Sequence, residues 1–436
     1  MSGSQDAAPE VDDPYVIEPF PHELDAVVRP PGSKSITNRA LICAALARGT
    51  SRLDGVLFAD DTEAMIDCLE GLGVQLRRDD AAEAIDVRGV RGEPPVDGAL
   101  LDARLSGTTS RFIMPVAALG RGTIVLDGGE PLRQRPMGDL ISALHGLGAS
   151  VGELGEPGHL PVQIDADHLE GGRIAVRGDV SSQFLSALLL AAPCMDEGLR
   201  VEVSTELVSR PYVDMTLRVM SDFGAHTTTE DDGSISVLPT GYRSNERYVV
   251  EPDASAASYF FAAAAIRGGR VRVEGLGRDA LQGDVAFVDV LERMGARVER
   301  GADWIEVAGT GELQGIEADF ADISDTAQTI AAVAVHASSP TRVTGIGFIR
   351  GKETDRVRAV VTELRRCGID ATEDADGFTI VPGTPRPTVV HTYDDHRMAM
   401  SFSLLGLVHP GISIADPGCV AKTVPDYWTR FEALRR

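Results

Sequence analysis

Hydrophobic and polar positions along the chain follow a pattern that recurs five times. Each copy begins with the apolar spacing of an amphipathic helix, reaches a glycine and continues into a strand-like stretch. The glycines are 75, 76, 71 and 73 residues apart: Gly73, Gly148, Gly224, Gly295 and Gly368. Because glycine readily adopts the left-handed conformation that closes a helix, each copy is predicted to be a helix, a glycine cap and strands.

A second, more apolar helix is predicted after the strands of each copy. These segments are rich in small apolar residues nearly all round, which predicts that they are buried. In chain order they are SGTTSRFIMPVAALG, VSSQFLSALLLAAP, DASAASYFFAAAAI, ISDTAQTIAAVAV and DDHRMAMSFSLLGL. A sixth, GSKSITNRALICAALARG, has no first helix before it, and KTVPDYWTRFEAL at the opposite end supplies one. The chain is therefore predicted to form six βαβ-type repeats with its ends meeting in space.

Six repeats are too many for one hydrophobic core, so we expect an α/β fold of two domains with three repeats each. The chain is expected to cross between the domains near Pro31–Gly32 and near Glu251–Asp253. The first domain is then discontinuous and covers residues 15–32 and 252–436, and the second covers residues 33–251. The acidic and polar residues 1–14 are predicted to be a disordered tail.

The starts of the buried helices form the predicted site. Four equivalent positions follow one another at intervals of 74 residues: Ser33, Gly107, Ser181 and Ser255. Helix N-termini carry unpaired N–H groups and a partial positive charge, so they bind anions, and we expect them to face the cleft between the domains. Ser, Thr and Asp at such starts are also ordinary N-caps, an alternative that does not apply to Lys34, Arg39 or Arg397.

Candidate site residues come from these starts and from the loops before the first helices. The starts contribute Lys34, Ser35, Arg39, Gly107, Thr108, Ser181, Ser182, Gln183, Asp325, His396 and Arg397. The loops contribute Arg135, Ser209, Lys352, Glu353, Arg356 and Lys422. For the segment GKETDR, a solvated and charged helix start is the alternative explanation.

Composition narrows the class of protein. The net charge of −25 argues against nucleic acid as a partner, because phosphates require a basic face. Only Lys34, Lys352 and Lys422 among the 41 basic residues are lysine, which indicates that the site needs compact ammonium groups. The chain has no run of 18 apolar residues, no secretory signal and no clustered cysteines. We therefore expect a cytoplasmic protein with no membrane contact, disulfide framework or metal site.

Eight strings together resemble one enzyme family, the 3-phosphoshikimate 1-carboxyvinyltransferases, also called 5-enolpyruvylshikimate-3-phosphate synthases. They are PGSKSITNRA, SGTTSRF, RQRPMGDL, SSQFLSALL, SRPYVDMT, GKETDR, DDHRMAMSFSL and AKTVPDYW, and they span residues 31–428 in the family's order. The resemblance implies two lobes of three βαβαββ units each. It also implies transfer of the enolpyruvyl group of phosphoenolpyruvate to the 5-hydroxyl of shikimate 3-phosphate, with release of phosphate, in chorismate and aromatic amino acid biosynthesis.

The resemblance also implies a role for each candidate residue. Those implied to bind shikimate 3-phosphate are Lys34, Ser35, Arg39, Ser181, Ser182, Gln183 and Ser209, with Asp325 and Lys352 at its hydroxyls. Those implied to bind phosphoenolpyruvate are Lys34, Gly107, Arg135, Gln183 and Lys422, with Arg356 and Arg397 at its carboxylate. Thr108 and His396 are expected to support the site.

The reaction needs a base for the attacking hydroxyl and an acid for the methylene carbon of phosphoenolpyruvate, and it passes through a tetrahedral intermediate. We hypothesise that Asp325 is the base and Glu353 the acid. An acid must carry a proton, whereas the neighbouring Lys352 and Arg356 favour the carboxylate of Glu353. Lys34 is therefore the alternative proton donor.

Three positions depart from the family's usual residues. Leu105 and Phe348 stand where asparagine is common, so a hydrogen bond to substrate is expected to be lost or replaced by water. Phe112 stands where some members have proline. The family's phosphoenolpyruvate site accepts glyphosate, and a shifted helix at Phe112 would narrow that site.

Other classes of protein fit less well. The enolpyruvyl transferase that acts on UDP-N-acetylglucosamine has the same fold, but it typically has Lys-Asn near its N-terminus and a reactive cysteine before its Arg-Pro. Here the residues are Lys34-Ser35, and the loop GGEPLRQRP has no cysteine. A P-loop ATPase would need GxxxxGK[ST], which is absent. A non-catalytic anion-binding protein would not need Asp325 and Glu353. We expect a monomer that uses no cofactor and binds only small molecules.

Overall fold

The computed structural model describes residues 11–435, and the chain forms two compact units. The internal unit is one continuous segment, Pro31–Glu251, and the terminal unit is formed by both ends of the chain, up to Pro30 and from Pro252 onwards. The first crossing between the units lies between Pro30 and Pro31, whereas the sequence predicts it two residues later, between residues 32 and 33. Of the expected disordered tail, residues 1–10 lie outside the described residues, whereas Asp13 accepts a hydrogen bond from the backbone N–H of Asp416 at 3.0 Å.

Helices occupy the apolar segments predicted from the sequence. Within residues 11–435, no helix is both long and apolar enough to cross a membrane. The α-helices are α1 (Lys34–Leu46), α2 (Asp60–Gly71), α3 (Gly107–Ala118), α4 (Glu130–Arg133), α5 (Gly138–Gly146), α6 (Ser182–Ala191), α7 (Arg210–Asp222), α8 (Ala254–Arg267), α9 (Phe287–Met294), α10 (Ala327–Ala334), α11 (Arg356–Arg366), α12 (His396–Ser403) and α13 (Tyr427–Ala433).

Strands alternate with these helices along the chain. They are β1 (Tyr15–Ile17), β2 (Leu24–Val28), β3 (Ala47–Arg48), β4 (Thr50–Asp54), β5 (Gln75–Asp79), β6 (Ala84–Arg88), β7 (Asp97–Asp102), β8 (Arg121–Asp127), β9 (Ser150–Glu153), β10 (Val162–Asp167), β11 (Gly172–Val176), β12 (Leu199–Val203), β13 (Thr227–Thr229), β14 (Ile235–Val237), β15 (Tyr242–Arg243), β16 (Tyr248–Val249), β17 (Gly269–Glu274), β18 (Arg297–Arg300), β19 (Trp304–Gly309), β20 (Glu317–Asp319), β21 (Thr341–Thr344), β22 (Ala371–Glu373), β23 (Phe378–Ile380), β24 (Thr388–Val390) and β25 (Ile412–Ile414).

Six sheets share one pairing scheme, in which a parallel pair is extended by antiparallel neighbours. In the internal unit the strand orders are β16-β4-β6-β5, β7-β8-β10-β9 and β11-β12-β14-β13, and β3 pairs separately with β15. In the terminal unit they are β2-β17-β19-β18, β20-β21-β23-β22 and β24-β25-β1. The first pair of each order is parallel and the others are antiparallel. This sixfold scheme confirms the predicted α/β fold of six repeats, three in each unit.

The predicted glycine caps are all present. Gly73, Gly148, Gly224, Gly295 and Gly368 have φ of 84°, 94°, 79°, 114° and 81°, the left-handed conformation that closes a helix without a Cβ clash. Each of the first helices therefore ends where the sequence predicts.

The starts of the buried helices are less regular than their spacing predicts. Asp325 does not begin an α-helix, because a 3₁₀ helix (Ala321–Thr326) with non-helical backbone at Ile323 precedes α10. Ser255 is the second residue of α8, which Asp253 caps. Ser255 and Asp325 therefore occupy the predicted places in their repeats, but they do not cap or begin a helix there.

The two ends of the chain meet in the terminal unit, as predicted. Strand β1 pairs antiparallel with β25, and the ring of Tyr15 lies 4.3 Å from that of Trp428, measured between centroids. The Tyr15 hydroxyl donates to Oε1 of Glu432 at 3.1 Å. Helix α13, which carries both partners, lies in the terminal unit, whereas α1 lies in the internal unit, so the prediction that α13 completes the repeat of α1 is wrong. It instead follows α12 and β25 in the repeat whose sheet is β24-β25-β1.

A stacked histidine pair lies beyond the C-terminal end of α10. The rings of His336 and His409 are 5.1 Å apart and nearly parallel, with an interplanar angle of 11°. Burial and the neighbouring His409 lower the pKa of His336 to about 3. Burial also lowers the pKa of His409. The folded chain therefore disfavours the protonated form of both rings.

We expect this pair to make the terminal unit sensitive to acid. The folded pKa of His336 lies below the unfolded value near 6.5, so its stabilisation is complete above pH 6.5 and is lost as the pH falls towards 3. When the pH is lowered from 7 to 5, the free energy of unfolding should decrease in both proteins. The decrease should be about 2 kcal/mol smaller in His336→Phe than in the parent, as measured by urea denaturation at each pH. His226→Phe, at an exposed histidine, is the control. Equal losses in parent and His336→Phe would contradict the assignment.

Candidate active site

The buried helices of the internal unit expose only their first residues. Every residue of α1, α3 and α6 is buried except four: Lys34, Ser35, Thr108 and Gln183. All four are the first or second residue of their helix, and all four are sequence-predicted site residues. Because the rest of each helix is enclosed, its polar groups are accessible to solvent and ligands at its N-terminus.

Lys34 begins α1 behind its N-cap Ser33, whose hydroxyl accepts a hydrogen bond from the backbone N–H of Ile36. The ammonium of Lys34 lies 3.1 Å from Oδ2 of Asp61, in the first turn of α2. Asp61 was not predicted as a site residue, and its one signal in the sequence is the acidic pair that opens α2. This ion pair orients the ammonium and leaves it partly exposed at the start of α1.

Arg39 lies one turn deeper in α1 and is only 2% exposed. Its Nε donates to Oγ1 of Thr216 at 2.7 Å and its Nη1 to the backbone oxygen of Ser35 at 2.8 Å. Its Nη2 donates to the backbone oxygen of Tyr212 at 3.2 Å and to Oγ of Ser186 at 3.4 Å. Burial lowers the pKa of Arg39 to about 10, which leaves it cationic at neutral pH. These four acceptors are neutral, so a positive charge is buried beneath the start of α1.

Two guanidinium groups lie beside Gly107, the first residue of α3. A Cβ at this position would lie 2.8 Å from Nη1 of Arg135 and 2.9 Å from Nη1 of Arg111. Arg111 also donates from Nη1 to Oε1 of Gln183 at 2.5 Å. Arg111 was not predicted, although it lies within the string SGTTSRF. The missing side chain of Gly107 lets both cations approach the helix N-terminus, where anions bind.

Helix α6 brings the remaining candidates of the internal unit together. Its N-cap Ser181 accepts a hydrogen bond from the backbone N–H of Gln183, and Nε2 of Gln183 donates to Oγ1 of Thr108 at 3.4 Å. Ser182 and Ser209 are buried, and Ser209 precedes α7 in a left-handed conformation with φ of 53°. Hydroxyl and amide donors therefore surround the starts of α3 and α6.

The terminal unit has its own cluster, centred on Asp325. One carboxylate oxygen, Oδ1, lies 3.4 Å from Nζ of Lys352 and 3.1 Å from Nη1 of Arg356. The other, Oδ2, lies 2.7 Å from Nη2 of Arg397. Three predicted cations thus converge on the predicted base, although they lie 27 to 72 residues away in sequence.

Arg356 connects Asp325 to two further carboxylates. Its Nη2 lies 2.8 Å from Oε2 of Glu353, whose Oε1 lies 3.4 Å from Nζ of Lys422. Its Nε donates to Oδ2 of Asp395 at 2.7 Å. Asp395 is fully buried and caps α12 by accepting from the backbone N–H of Arg397. Asp395 was missed, although it lies within the string DDHRMAM beside the predicted and equally buried His396.

Burial and charge act in opposite directions in this cluster. Burial lowers the pKa of Lys352 in spite of the attraction of Asp325. For Arg356, burial works against the charge, but Asp395, Glu353 and Asp325 together raise its pKa. Four cations contact three carboxylates in this cluster. Their side chains are therefore already ordered before a substrate anion binds. Such an arrangement can move protons on Asp325 and Glu353 while the cations stabilise negative charge on a substrate.

The three departures from the family occupy different environments. Phe112 is fully buried, and the guanidinium carbon of Arg39 lies 5.1 Å from its ring centroid, so this ring supports a predicted site residue. Phe348 is partly buried against the core of the terminal unit. Leu105 is also partly buried, and a Cβ at Gly129 would meet its side chain at 2.8 Å. Phe112 therefore has a packing function of its own.

Comparison with known proteins points to one family. The family model described as EPSP synthase (3-phosphoshikimate 1-carboxyvinyltransferase) matches residues 20–431. A 3-phosphoshikimate 1-carboxyvinyltransferase of Nostoc sp. is 47% identical over 96% of this chain and 99% of its own length. One from Herminiimonas arsenicoxydans is 43% identical over 94% of this chain and 97% of its own length. A solved EPSP synthase from Acinetobacter baumannii has a TM-score of 0.81 at 27% identity, covering 96% of this chain and 97% of the other.

These matches agree with the eight strings, the six sheets and the charged residues gathered at the helix starts. The chain belongs to the EPSP synthase (3-phosphoshikimate 1-carboxyvinyltransferase) family.

Proposed function

We propose that this chain transfers the enolpyruvyl group of phosphoenolpyruvate to the 5-hydroxyl of shikimate 3-phosphate, through addition and elimination by way of a tetrahedral intermediate. The observation that carries the proposal is the pair of carboxylates, Asp325 and Glu353, held among the cations Lys352, Arg356, Arg397 and Lys422. Family membership supports the overall reaction, and transfer to UDP-N-acetylglucosamine is not favoured. Phosphate release that requires both substrates tests it; release without shikimate 3-phosphate would contradict it.

In this proposal the internal unit binds shikimate 3-phosphate. The serines Ser181, Ser182 and Ser209 donate hydrogen bonds to its phosphate, and Lys34 and Ser35 bind it at the start of α1. The buried charge of Arg39 supports this assignment, because its hydrogen bonds go to neutral oxygens and its field is not cancelled by a bonded carboxylate. Arg39 then acts partly through that field and partly by holding α1 against α6 and α7.

Phosphoenolpyruvate carries a phosphate and a carboxylate, and both need cations. We assign its phosphate to Gly107, Arg135 and Lys422 and its carboxylate to Arg356 and Arg397, whose forks suit a planar carboxylate. Both arginines bond Asp325 in the structure, so the substrate carboxylate must share or replace that contact. Gln183 lies between the two ligands, and Lys352 and Asp325 contact the shikimate hydroxyls.

The proton transfers follow from the same cluster. Asp325 accepts the hydroxyl proton, and Glu353 donates to the methylene carbon. A substrate carboxylate that engages Arg356 would compete with Glu353 for one of the cations beside it. Lys34 stays the alternative donor. We further propose that the enzyme acts as a cytoplasmic monomer, which analytical ultracentrifugation of the purified protein tests for its oligomeric state.

Replacing the lysines tests the need for compact ammonium groups. Lys34→Arg and Lys422→Arg should each lower turnover or affinity for phosphoenolpyruvate about tenfold or more, roughly 1.4 kcal/mol, because a planar fork is too large for the contacts with Asp61 and Glu353. Steady-state phosphate release at varied phosphoenolpyruvate measures this. Arg358→Lys, at a side chain that is 70% exposed, should behave like the parent. Parent-like kinetics in both lysine variants would defeat the argument.

Amide variants test the two carboxylates. Asp325→Asn should lower kcat by about 10²- to 10⁴-fold, because an amide cannot take the hydroxyl proton. Glu353→Gln should prevent incorporation of deuterium from D₂O at the methylene carbon, followed by mass spectrometry after an acid-quenched single turnover. Normal incorporation in Glu353→Gln together with its loss in Lys34→Met would move the acid role to Lys34.

A methyl group at Gly107 tests the anion site of α3. We expect glyphosate to compete with phosphoenolpyruvate, and Gly107→Ala to raise the glyphosate inhibition constant by a larger factor than the Michaelis constant of phosphoenolpyruvate. The new Cβ would displace Nη1 of Arg135 and Arg111, and the longer ligand needs that space more. Gly418→Ala is the control, because a Cβ there meets no atom within 4 Å. Equal factors for both constants would rule out the steric explanation.

A further inference from the structure

Arg111 is a buried cation whose contacts point to another side chain of the site. It lies in the second turn of α3 and is 7% exposed. Its Nη1 donates to Oε1 of Gln183 at 2.5 Å, and its Nη2 donates to the backbone oxygen of Pro136 at 3.5 Å. Its guanidinium carbon lies 5.3 Å from the ring centroid of Phe184. A hydrogen bond, a backbone contact and an aromatic ring thus hold the guanidinium beside Gln183.

This contact decides which end of the Gln183 amide reaches the ligands. A guanidinium has only donors, so it can bond the amide oxygen and not the amide nitrogen. With Oε1 held by Arg111, Nε2 turns to the Thr108 hydroxyl, 3.4 Å away at the exposed start of α3. A rotated amide would place its N–H groups against Nη1 of a buried cation, so two hydrogen-bond donors would face each other.

Donors therefore converge at the starts of α3 and α6. Nη1 of Arg135 and Nη1 of Arg111 lie 2.8 and 2.9 Å from the position that a Cβ of Gly107 would occupy. With the amide fixed, Gln183 adds N–H donors and withholds its oxygen. Such a site favours oxygens that only accept hydrogen bonds, as those of an ionised phosphate or carboxylate do.

We propose that Arg111 is a positioning residue that holds the Gln183 amide with its N–H groups towards the anionic substrates. This proposal rests on the proposed function, in which Gln183 lies between the two ligands. Because its Nη1 is bonded to Oε1 of Gln183, Arg111 acts on the ligands through Gln183. The orientation of the Gln183 amide thereby favours ionised phosphate and carboxylate groups over protonated ones at the starts of α3 and α6.

A double-mutant cycle tests the proposal. Arg111→Met should raise the Michaelis constant of phosphoenolpyruvate about tenfold or more and have a smaller effect on kcat. In the Gln183→Met background the same replacement should change it by less than about threefold, because the amide to be oriented is gone. Arg111→Lys, which can still donate to Oε1, should recover most of the affinity. Arg218→Met, which makes the same replacement at a side chain of the internal unit that is 63% exposed, is the matched control and should stay near the parent.

Multiplicative effects of the two methionine replacements would overturn the proposal, because they would show that Arg111 contacts substrate independently of Gln183. Parent-like kinetics in Arg111→Met would also overturn it. If Arg111→Met does not fold, Arg111→Lys and Gln183→Glu replace it in the test. Gln183→Glu keeps an acceptor for Arg111 but loses the N–H donors of the amide. It should therefore bind phosphoenolpyruvate as weakly as Gln183→Met. Binding of inorganic phosphate by calorimetry repeats the cycle without turnover. An inactive parent that still shows this coupling would refute the proposed function and leave the Arg111 assignment standing.

Discussion

Enclosure of a helix on all sides restricts where its polar groups can be used. Helices α1, α3 and α6 are buried along their length, so their solvent-exposed side chains are confined to the first turn, where N–H groups are unpaired and the helix dipole is positive. The repeated sheets support this arrangement, since α1 packs on β4, α3 packs on β8, and α3 and α6 pack on each other. Anion binding therefore follows from the packing of the fold as much as from any single residue.

The second requirement is electrostatic. A chain with a net charge of −25 that acts on anionic substrates has to gather cations locally, and this chain places several of them where burial makes their charge effective. Those cations cannot be buried unpaired without a large desolvation cost, and Asp325, Glu353 and Asp395 offset that cost in the terminal unit. Arg39 differs, since its hydrogen bonds go to neutral oxygens and its guanidinium lies over the Phe112 ring. The same carboxylates that neutralise the cluster are the groups available for proton transfer.

Residues beneath the site determine how the site residues point. Asp61 orients Lys34, Asp395 holds Arg356, and Arg111 holds Gln183. None of these three is among the predicted site residues, because their side chains face other protein groups. Phe112 belongs with them: a residue that looked like a departure from the family packs under Arg39.

The sequence by itself determined the six repeats, the buried helices, the glycine caps and the residues at the helix starts, because periodicity and capping are properties of neighbouring residues. Gly295 has φ of 114° and closes its helix where an apolar pattern followed by glycine requires it. Tertiary structure alone decided the partners. Arg356 and Asp395 are 39 residues apart, and Arg111 and Gln183 are 72 apart. No local pattern encodes such pairs, since they arise when sheets of different repeats bring separate helices together. The 3₁₀ helix that contains Asp325 is likewise seen only in the folded chain, because its backbone departs from the regular helix that the sequence pattern predicts.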